Sequence, residues 1–400
     1  MLGRDLVRPL EDDWRETLDE VARSHGWPTS RDVAKLAGRV AALSSSYNDA
    51  STARATVRDA GAARLGFSFV RDVPKMAGAV RELVAVGALC LGARLRVLDV
   101  GAGMGASTWG LVRALEAAGQ AGTVEVTWMD TDALALEVAV AVARARTGHG
   151  RIELRPTTIQ RAGSSLPGPS RFDVVLAGQV LSELDVGLAA DARLEKHASL
   201  LASWLDRLEP DGSLIVVEPA LRDRTRHLHR LHDAMLARGA TVFAPCLHAS
   251  TCPALARDGD WCHEDLAVDL PAWLVPVARA AGLRHEGLTF SYLVLRRDGL
   301  RLSDAVPAVN DASLLRMVSG PMPSKGKLEA FLCGALPSAT ERVVSRARVT
   351  RLDRDATPAN SAWAEASRGD VVVLEPAPPV DRPRIERATT VTLSGVTKTR

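Results

Sequence analysis

The sequence predicts an α/β protein built on a doubly wound parallel sheet, with a helical cap before it and a small β domain after it. Three observations carry this. From Arg94 to Ala237 short apolar runs alternate with stretches of helical period. A glycine-rich turn, Gly101-Ala102-Gly103-Met104-Gly105, lies where the first such run meets the first helix. Before Arg94 the pattern is helical, and beyond about residue 300 it becomes short strands separated by Gly and Pro.

In chain order, Asp12-Asp13-Trp14 opens an amphipathic helix to about Ser24, and a second follows Ser30-Arg31-Asp32. A third, Ser68 to Leu91, carries Val70, Val73, Met76, Val80, Leu83 and Val84 at helical spacing. Residues 1–90 therefore read as a helical cap without evident chemistry. Strands are expected at Leu95–Val100, Val124–Asp130, Ile152–Pro156, Phe172–Leu176 and Ser213–Glu218. Helices are expected between and after them at Ser107–Ala118, Ala133–Arg146, Val186–Leu208 and Leu221–Ala237. Ligands of such sheets bind beyond the carboxyl ends of the strands.

After Arg238 the alternation breaks. A cysteine-bearing segment occupies 243–263, a helix follows at about Pro271–Ala281, and Leu288–Arg297 returns a final strand to the sheet. This makes 91–300 one domain with an insertion. A linker is expected over 298–315. A small β domain covers 301–376, with strands at Lys327–Cys333, Arg342–Leu352 and Asp370–Leu374, and 377–400 is expected to be a mobile tail.

Composition excludes several classes. A net charge of +2 argues against a strongly basic nucleic-acid coat, and 46% hydrophobic with 24% charged residues is ordinary for a globular protein. No run reaches the ~18 apolar residues of a membrane span. The first residues, MLGRDLVRPLEDDW, lack the apolar core of a signal peptide. The expectation is a cytoplasmic monomer whose five cysteines are thiols or metal ligands rather than a disulfide frame.

The glycine turn follows Val97-Leu98-Asp99-Val100, giving GxGxG with an acid two residues before the first glycine. A dinucleotide fingerprint would prefer GxGxxG, whereas position 106 is Ala, and a phosphate-binding P-loop would need Gly-Lys-Ser/Thr, which is absent. The pattern resembles the first motif of class I S-adenosylmethionine methyltransferases. That resemblance implies S-adenosylmethionine as cofactor, with Gly101, Gly103 and Gly105 at its backbone and Asp99 facing its amino group. Asp130, at the end of the next strand, would accept from the ribose hydroxyls, with Asp132 the neighbouring alternative. After the fourth strand, Gln179 and Glu183 reach the pocket mouth. The Asp/Asn-Pro-Pro-aromatic tetrad of amine-directed nucleic-acid enzymes is missing there, and no cysteine stands near it. No catalytic residue is assigned.

Cys246, Cys252 and Cys262 lie in one segment, separated by five and nine residues, and Cys333 lies in a later strand-like run. These spacings are neither those of zinc fingers nor of ferredoxins, so four thiolates leave zinc and a [4Fe–4S] cluster both open. Cys90 follows an apolar helix and reads as core. The residues around the thiols, Ala244-Pro245-Cys246-Leu247-His248, Cys252-Pro253 and Trp261-Cys262-His263, are similar to those of the methyltransferase-like small-ribosomal-subunit protein family. So are Val217-Glu218-Pro219, Phe290-Ser291-Tyr292-Leu293, Cys333 and Gly369-Asp370. The likeness covers roughly 90–375. Leu247 and Glu264 depart from the family's pattern without touching a thiolate. It implies a [4Fe–4S] cluster on Cys246, Cys252, Cys262 and Cys333, clamping the β domain to the core. It also implies action on the small ribosomal subunit or its RNA, as assembly factor or rRNA methyltransferase. The rival is a non-catalytic RNA-binding module with a structural metal. Candidate RNA contacts are the basic helix Arg222–Arg230 and Arg296-Arg297. A radical enzyme is disfavoured, because the CxxxCxxC run is absent and Cys333 would close the iron site.

Overall fold

The computed structural model describes residues 6–48, 57–161, 166, 170–306 and 311–394. Four helices open the chain: α1 (Asp12–Ser24), α2 (Val33–Asn48), α3 (Val57–Ala63) and α4 (Phe69–Ala85), with a π-turn at Arg64–Ser68 before α4. The alternating part follows as β1 (Arg94–Val100), α5 (Ala106–Ala117), β2 (Gly122–Asp130), α6 (Ala133–Ala145), β3 (Ile152–Gln160) and β4 (Phe172–Gly178). It continues through α7 (Ala190–Leu205), β5 (Leu208–Glu218), α8 (Arg222–Ala237), β6 (Thr241–Ala244), β7 (Glu264–Leu266), α9 (Val275–Ala280) and β8 (Leu288–Arg296).

These strands form one sheet in the order β3-β2-β1-β4-β5-β8-β6, with β7 added to β8. Strands β1 to β5 pair parallel, and β8 runs antiparallel to both neighbours, β5 and β6. The chain leaves β5 through α8, places β6 one position out, and β8 later fills the gap. Successive strand residues face opposite layers. Val97, Val126, Val174, Ile215 and Val294 join the core under α4, α5 and α6. Leu98, Met129, Val175, Val216 and Leu295 join the core under α7 and α8. Because both faces are covered at the centre, β4, β8 and the second half of β5 are buried almost throughout, while β2 and β3 toward the edge alternate.

The N-terminal helices share that first core rather than capping it from outside. Trp14 meets Trp109 edge-on at 5.0 Å, and the Arg146 guanidinium lies 4.3 Å over the Trp14 ring. Helix α4 presses so closely on α5 that a Cβ on Gly110 would lie 2.4 Å from the Val73 carbonyl.

The remaining strands, β9 (Ser313–Met317), β10 (Met322–Ser324), β11 (Lys327–Pro337), β12 (Arg342–Leu352), β13 (Val371–Glu375), β14 (Arg384–Ile385) and β15 (Thr390–Leu393), build a second sheet. Its own core holds Leu315, Met317, Leu332, Val349, Trp363 and Val372.

Several boundaries differ from expectation. The helix expected over Val186–Leu208 starts only at Ala190, because Gln179 and Asp185 take left-handed backbone angles and hold 179–189 in turns. Leu208 belongs to β5, where it pairs with Phe172. Strand β3 runs through Pro156, which an edge strand tolerates since one side of its backbone needs no ladder partner. The expected linker contains the start of β9. The expected tail contributes β14 and β15; residues 395–400 lie outside the described part.

Two buried ion pairs leave α4, one to β7 of the first sheet and one to β9 of the second. Arg81 meets Glu264 at 2.6 Å, both side chains 3% exposed. The next residue, Glu82, pairs with Arg316 of β9 and accepts from the Tyr292 hydroxyl at 3.1 Å. Arg316 also donates to the carbonyls of Pro245 (3.0 Å) and Gly369 (2.7 Å). Removing one member of such a pair leaves a desolvated charge. Glu82→Ala is therefore expected to cost about 3–5 kcal/mol, read from the denaturation midpoint. Replacing Glu82 and Arg316 together by apolar residues should cost clearly less than that single change.

Candidate cofactor cleft and cysteine cavity

The cleft opens at the carboxyl ends of β1, β2, β4 and β5. Gly101, Gly103 and Gly105 have φ of 63°, 52° and 84°, a region costly for side chains, and all three adopt it within one turn. The amides of Gly101 and Ala102 donate to the Met129 carbonyl at 2.8 and 3.1 Å, pinning the turn to β2. A Cβ on Gly101 would stand 2.6 Å from Val180 Cγ2, so the close approach also requires glycine.

The two aspartates after β2 divide their work. Asp132 caps α6, its Oδ1 accepting from the amides of Leu134 and Ala135 at 3.0 and 3.2 Å. Asp130 lines the cleft; its Oδ2 accepts from Gly103 N at 2.8 Å and its Oδ1 from Asp132 N at 2.9 Å. Each oxygen keeps a further lone pair. Gln179 lines the cleft with φ 60°, its amide donating to the Val217 carbonyl at 2.6 Å, and Glu183 lines it beside Ser182.

Asp99 is placed differently from its expected role. It is fully buried beneath the turn, and its Oδ2 accepts from the Thr108 amide (3.2 Å) and hydroxyl (2.7 Å) while Oδ1 has no partner. Burial pushes its pKa up to about 7. It holds the first turn of α5. Glu218, equally buried and also raised to about 7 by burial, accepts from the amides of Leu181 and Ser182 at 2.9 and 3.0 Å. It shapes the loop that carries Gln179 and Glu183. The far wall of the cleft is Phe67 and Phe69 with Asp72, Lys75 and Met76 of α4. Sequence reading assigned no chemistry to these helices. The π-turn, often found beside functional sites, is the signal that the sequence hid.

All five cysteines are free thiols. Cys246 follows β6, Cys252 starts a short 3₁₀ turn, Cys262 precedes β7 and Cys333 sits on β11. All four line one cavity between the sheets, together with His248, His263, Arg316, Arg346 and Arg368. Helix α8 holds the cysteine segment: Cys252 N donates to Asp233 Oδ1 (2.8 Å) and Cys262 N to His229 Nε2 (3.0 Å). Burial pushes the Cys252 thiol up to about 12, and burial with the neighbouring sulfurs raises Cys246 and Cys333 as well. Burial keeps His229 neutral, with a pKa down to about 3. Among the described residues no three His, Cys, Asp or Glu side chains stand close enough to hold a metal ion. Neither the zinc nor the [4Fe–4S] expectation finds support in that spacing. His248 Nε2 lies 3.7 Å from Cys333 Sγ, and Cys90 is exposed rather than core.

The basic groups expected to face RNA are largely engaged within the protein. Arg226 Nη1 donates to the carbonyls of Ala254, Arg257 and Asp260, at 3.2, 2.8 and 2.7 Å, and so ties α8 to the cysteine segment. Arg230 pairs with Asp191. Arg296, 3% exposed, bonds Asp298, Ser213 and the Ala88 carbonyl, and Arg297 bonds the Leu208 carbonyl. No helix among the described residues is long and apolar enough to cross a membrane.

A strand order of 3-2-1-4-5 continued by an antiparallel strand inside the edge, with a glycine turn after β1 and an acid after β2, defines the class I methyltransferase-like fold. The chain belongs to the family described as mitochondrial small ribosomal subunit Rsm22, whose model matches residues 93–377. That description names a mitochondrial particle. No curated protein matches the chain. Among solved structures, a methyltransferase from Pyrococcus furiosus is 14% identical, with a TM-score of 0.31 over 55% of this chain and 82% of that one. An S-adenosylmethionine-dependent methyltransferase from Clostridium acetobutylicum is 9% identical, with a TM-score of 0.27 over 70% and 74%. A Listeria monocytogenes protein assigned to the class I enzymes is 13% identical, with a TM-score of 0.38 over 71% and 86%.

Two outcomes follow from this geometry. Asp130→Ala removes the acceptor of the Gly103 and Asp132 amides and should cost about 1–3 kcal/mol of stability, read from the denaturation midpoint. Asp99 and Glu218 have folded pKa values above the ordinary carboxyl range, so the folded state holds protons that the unfolded state releases. Their contribution to stability is fully present below about pH 4 and declines as pH rises toward 7. Asp99→Asn, which keeps an acceptor for Thr108, should flatten that decline in a series of melting temperatures against pH.

Proposed function

We propose that the cleft binds S-adenosylmethionine through Gly101, Gly103, Gly105, Asp130 and Gln179, with Asp99 positioning the turn from below. We propose further that Cys246, Cys252, Cys262 and Cys333 hold a [4Fe–4S] cluster, and that the protein acts on the small ribosomal subunit or its RNA. The observation that carries the cluster is the convergence of four free thiols, from two sheets, on one cavity. Bound there, such a cluster would deprotonate the four thiols and tie the C-terminal sheet, as a separate β domain, to the methyltransferase-like unit.

The ribosomal reading rests on the family, whose description names the small subunit. In the enzyme form, the cleft would orient a nucleophile on RNA in line with the cofactor's sulfonium, which is already activated. A second reading, an assembly factor that keeps the cofactor without methyl transfer, is favoured by one feature. The turn after β4 is held by the Glu218 carboxylate and carries no Asp/Asn-Pro-Pro-aromatic tetrad.

Purification of the full chain without oxygen should give about four iron and four sulfide per chain, and Cys333→Ser should lower both. Zinc in place of iron would overturn the cluster. Transfer of tritium from labelled S-adenosylmethionine to small-subunit particles supports the enzyme form. Cofactor binding without transfer supports the assembly factor.

A further inference from the structure

Four buried side-chain nitrogens on residues that line the cysteine cavity have no hydrogen-bond partner: the donors Arg316 Nη2, Arg346 Nε and His263 Nδ1, and His232 Nε2, a bare acceptor in the neutral ring whose Nδ1 donates to Asp233 Oδ1 at 2.7 Å. Each side chain is fixed by its other atoms. Arg316 is held by Glu82 and two carbonyls. Arg346 meets Asp260 at 2.9 Å and lies 4.7 Å over the Phe331 ring. His263 Nε2 lies 3.5 Å from Arg368 Nη1, and since arginine can only donate, that ring nitrogen accepts. In the neutral ring the proton is then on Nδ1, which is a donor.

A buried donor without a partner costs free energy, and three of them on residues that line one cavity point to an acceptor that fills it. The four thiols at the cavity are poor acceptors while protonated, and the Glu264 carboxylate that also lines it is taken up by Arg81. Thiolate and sulfide sulfur are good acceptors and carry negative charge. Arg316, Arg346 and Arg368 also bring positive charge to Cys262, and the first two to Cys333.

We propose that Arg316, Arg346 and His263 form a donor rim that hydrogen-bonds the sulfurs of an anionic iron–sulfur cluster, retaining it in the cavity and raising its reduction potential. This rests on the cluster reading above. A reduced cluster carries one more negative charge, so donors and cations that face it favour the reduced state. Arg346 is the residue to test, because β12 and the Asp260 side chain lie outside the α4 ion pairs.

The test uses the full chain purified without oxygen, with Arg346→Gln, His263→Leu and, as a control, Asp260→Asn, which breaks the ion pair but leaves the guanidinium. Iron and sulfide content are measured first, then the rate of iron loss to a chelator and the midpoint potential. Both Arg346→Gln and His263→Leu are expected to bind the cluster yet lose it several-fold faster, at a potential below that of the unaltered protein. Asp260→Asn should stay close to the unaltered rate, because the guanidinium remains in place. Loaded variants with unchanged loss rate and potential would overturn the rim and assign ordered water to the three donors. An unaltered protein without iron and sulfide would instead overturn the cluster reading itself. Should one variant fail to fold, the other still decides.

Discussion

Two adjacent residues of α4 carry opposite charges into the interior, and most of the architecture is arranged around them. Arg81 reaches Glu264 beside Cys262, and Glu82 reaches Arg316 on the second sheet. An unpaired charge at such depth would cost several kcal/mol, so each pair has to close for the chain to fold this way. Burial alone would pull these groups toward neutrality. The carboxylates opposite outweigh it, and the pKa of both arginines is raised. The partners are 183 and 234 residues apart in sequence, so these pairs fix tertiary position rather than local structure.

One helix therefore serves both sites. Early in α4, Phe69, Asp72, Lys75 and Met76 face the cofactor cleft, and Arg81 and Glu82, nearer its end, grip the wall of the cysteine cavity. Helix α8 does something similar from the opposite layer. It packs Leu228, Leu231 and Met235 against the sheet, while Arg226, His229 and Asp233 hold the backbone of the cysteine segment. The segment itself has little regular structure. Its shape comes from these side-chain contacts and from the pairing of β7 with β8.

Much of the first sheet was legible because a strand buried on both faces leaves a short, continuous apolar run, as in Leu214–Val217. The glycine turn was legible because few sequences other than a tight ligand-binding turn place three glycines so. Direction was harder to read. Nothing local in Leu288–Arg296 distinguishes an antiparallel strand from a parallel one; the position left open between β5 and β6 decides it. Roles of charged residues were the least legible. Arg226 and Arg296 have the composition of an RNA-facing surface, yet both spend their donors on carbonyls and side chains of this chain. Asp99 shows the same limit: its motif suggests a ligand contact, and its depth makes it a support for α5. The convergence of Cys333 with the other three thiols was implied only by family likeness, since no spacing spans the turn from one sheet to the next.

The central claim is that four thiols from two sheets form one iron–sulfur joint. Mössbauer spectroscopy of the full chain, grown on enriched iron and kept from oxygen, addresses it most directly. The account predicts the paired, mixed-valence signal of a cubane cluster, present in the unaltered protein and reduced when Cys333 is replaced. A protein that carries zinc, or iron only as isolated ions, would contradict it.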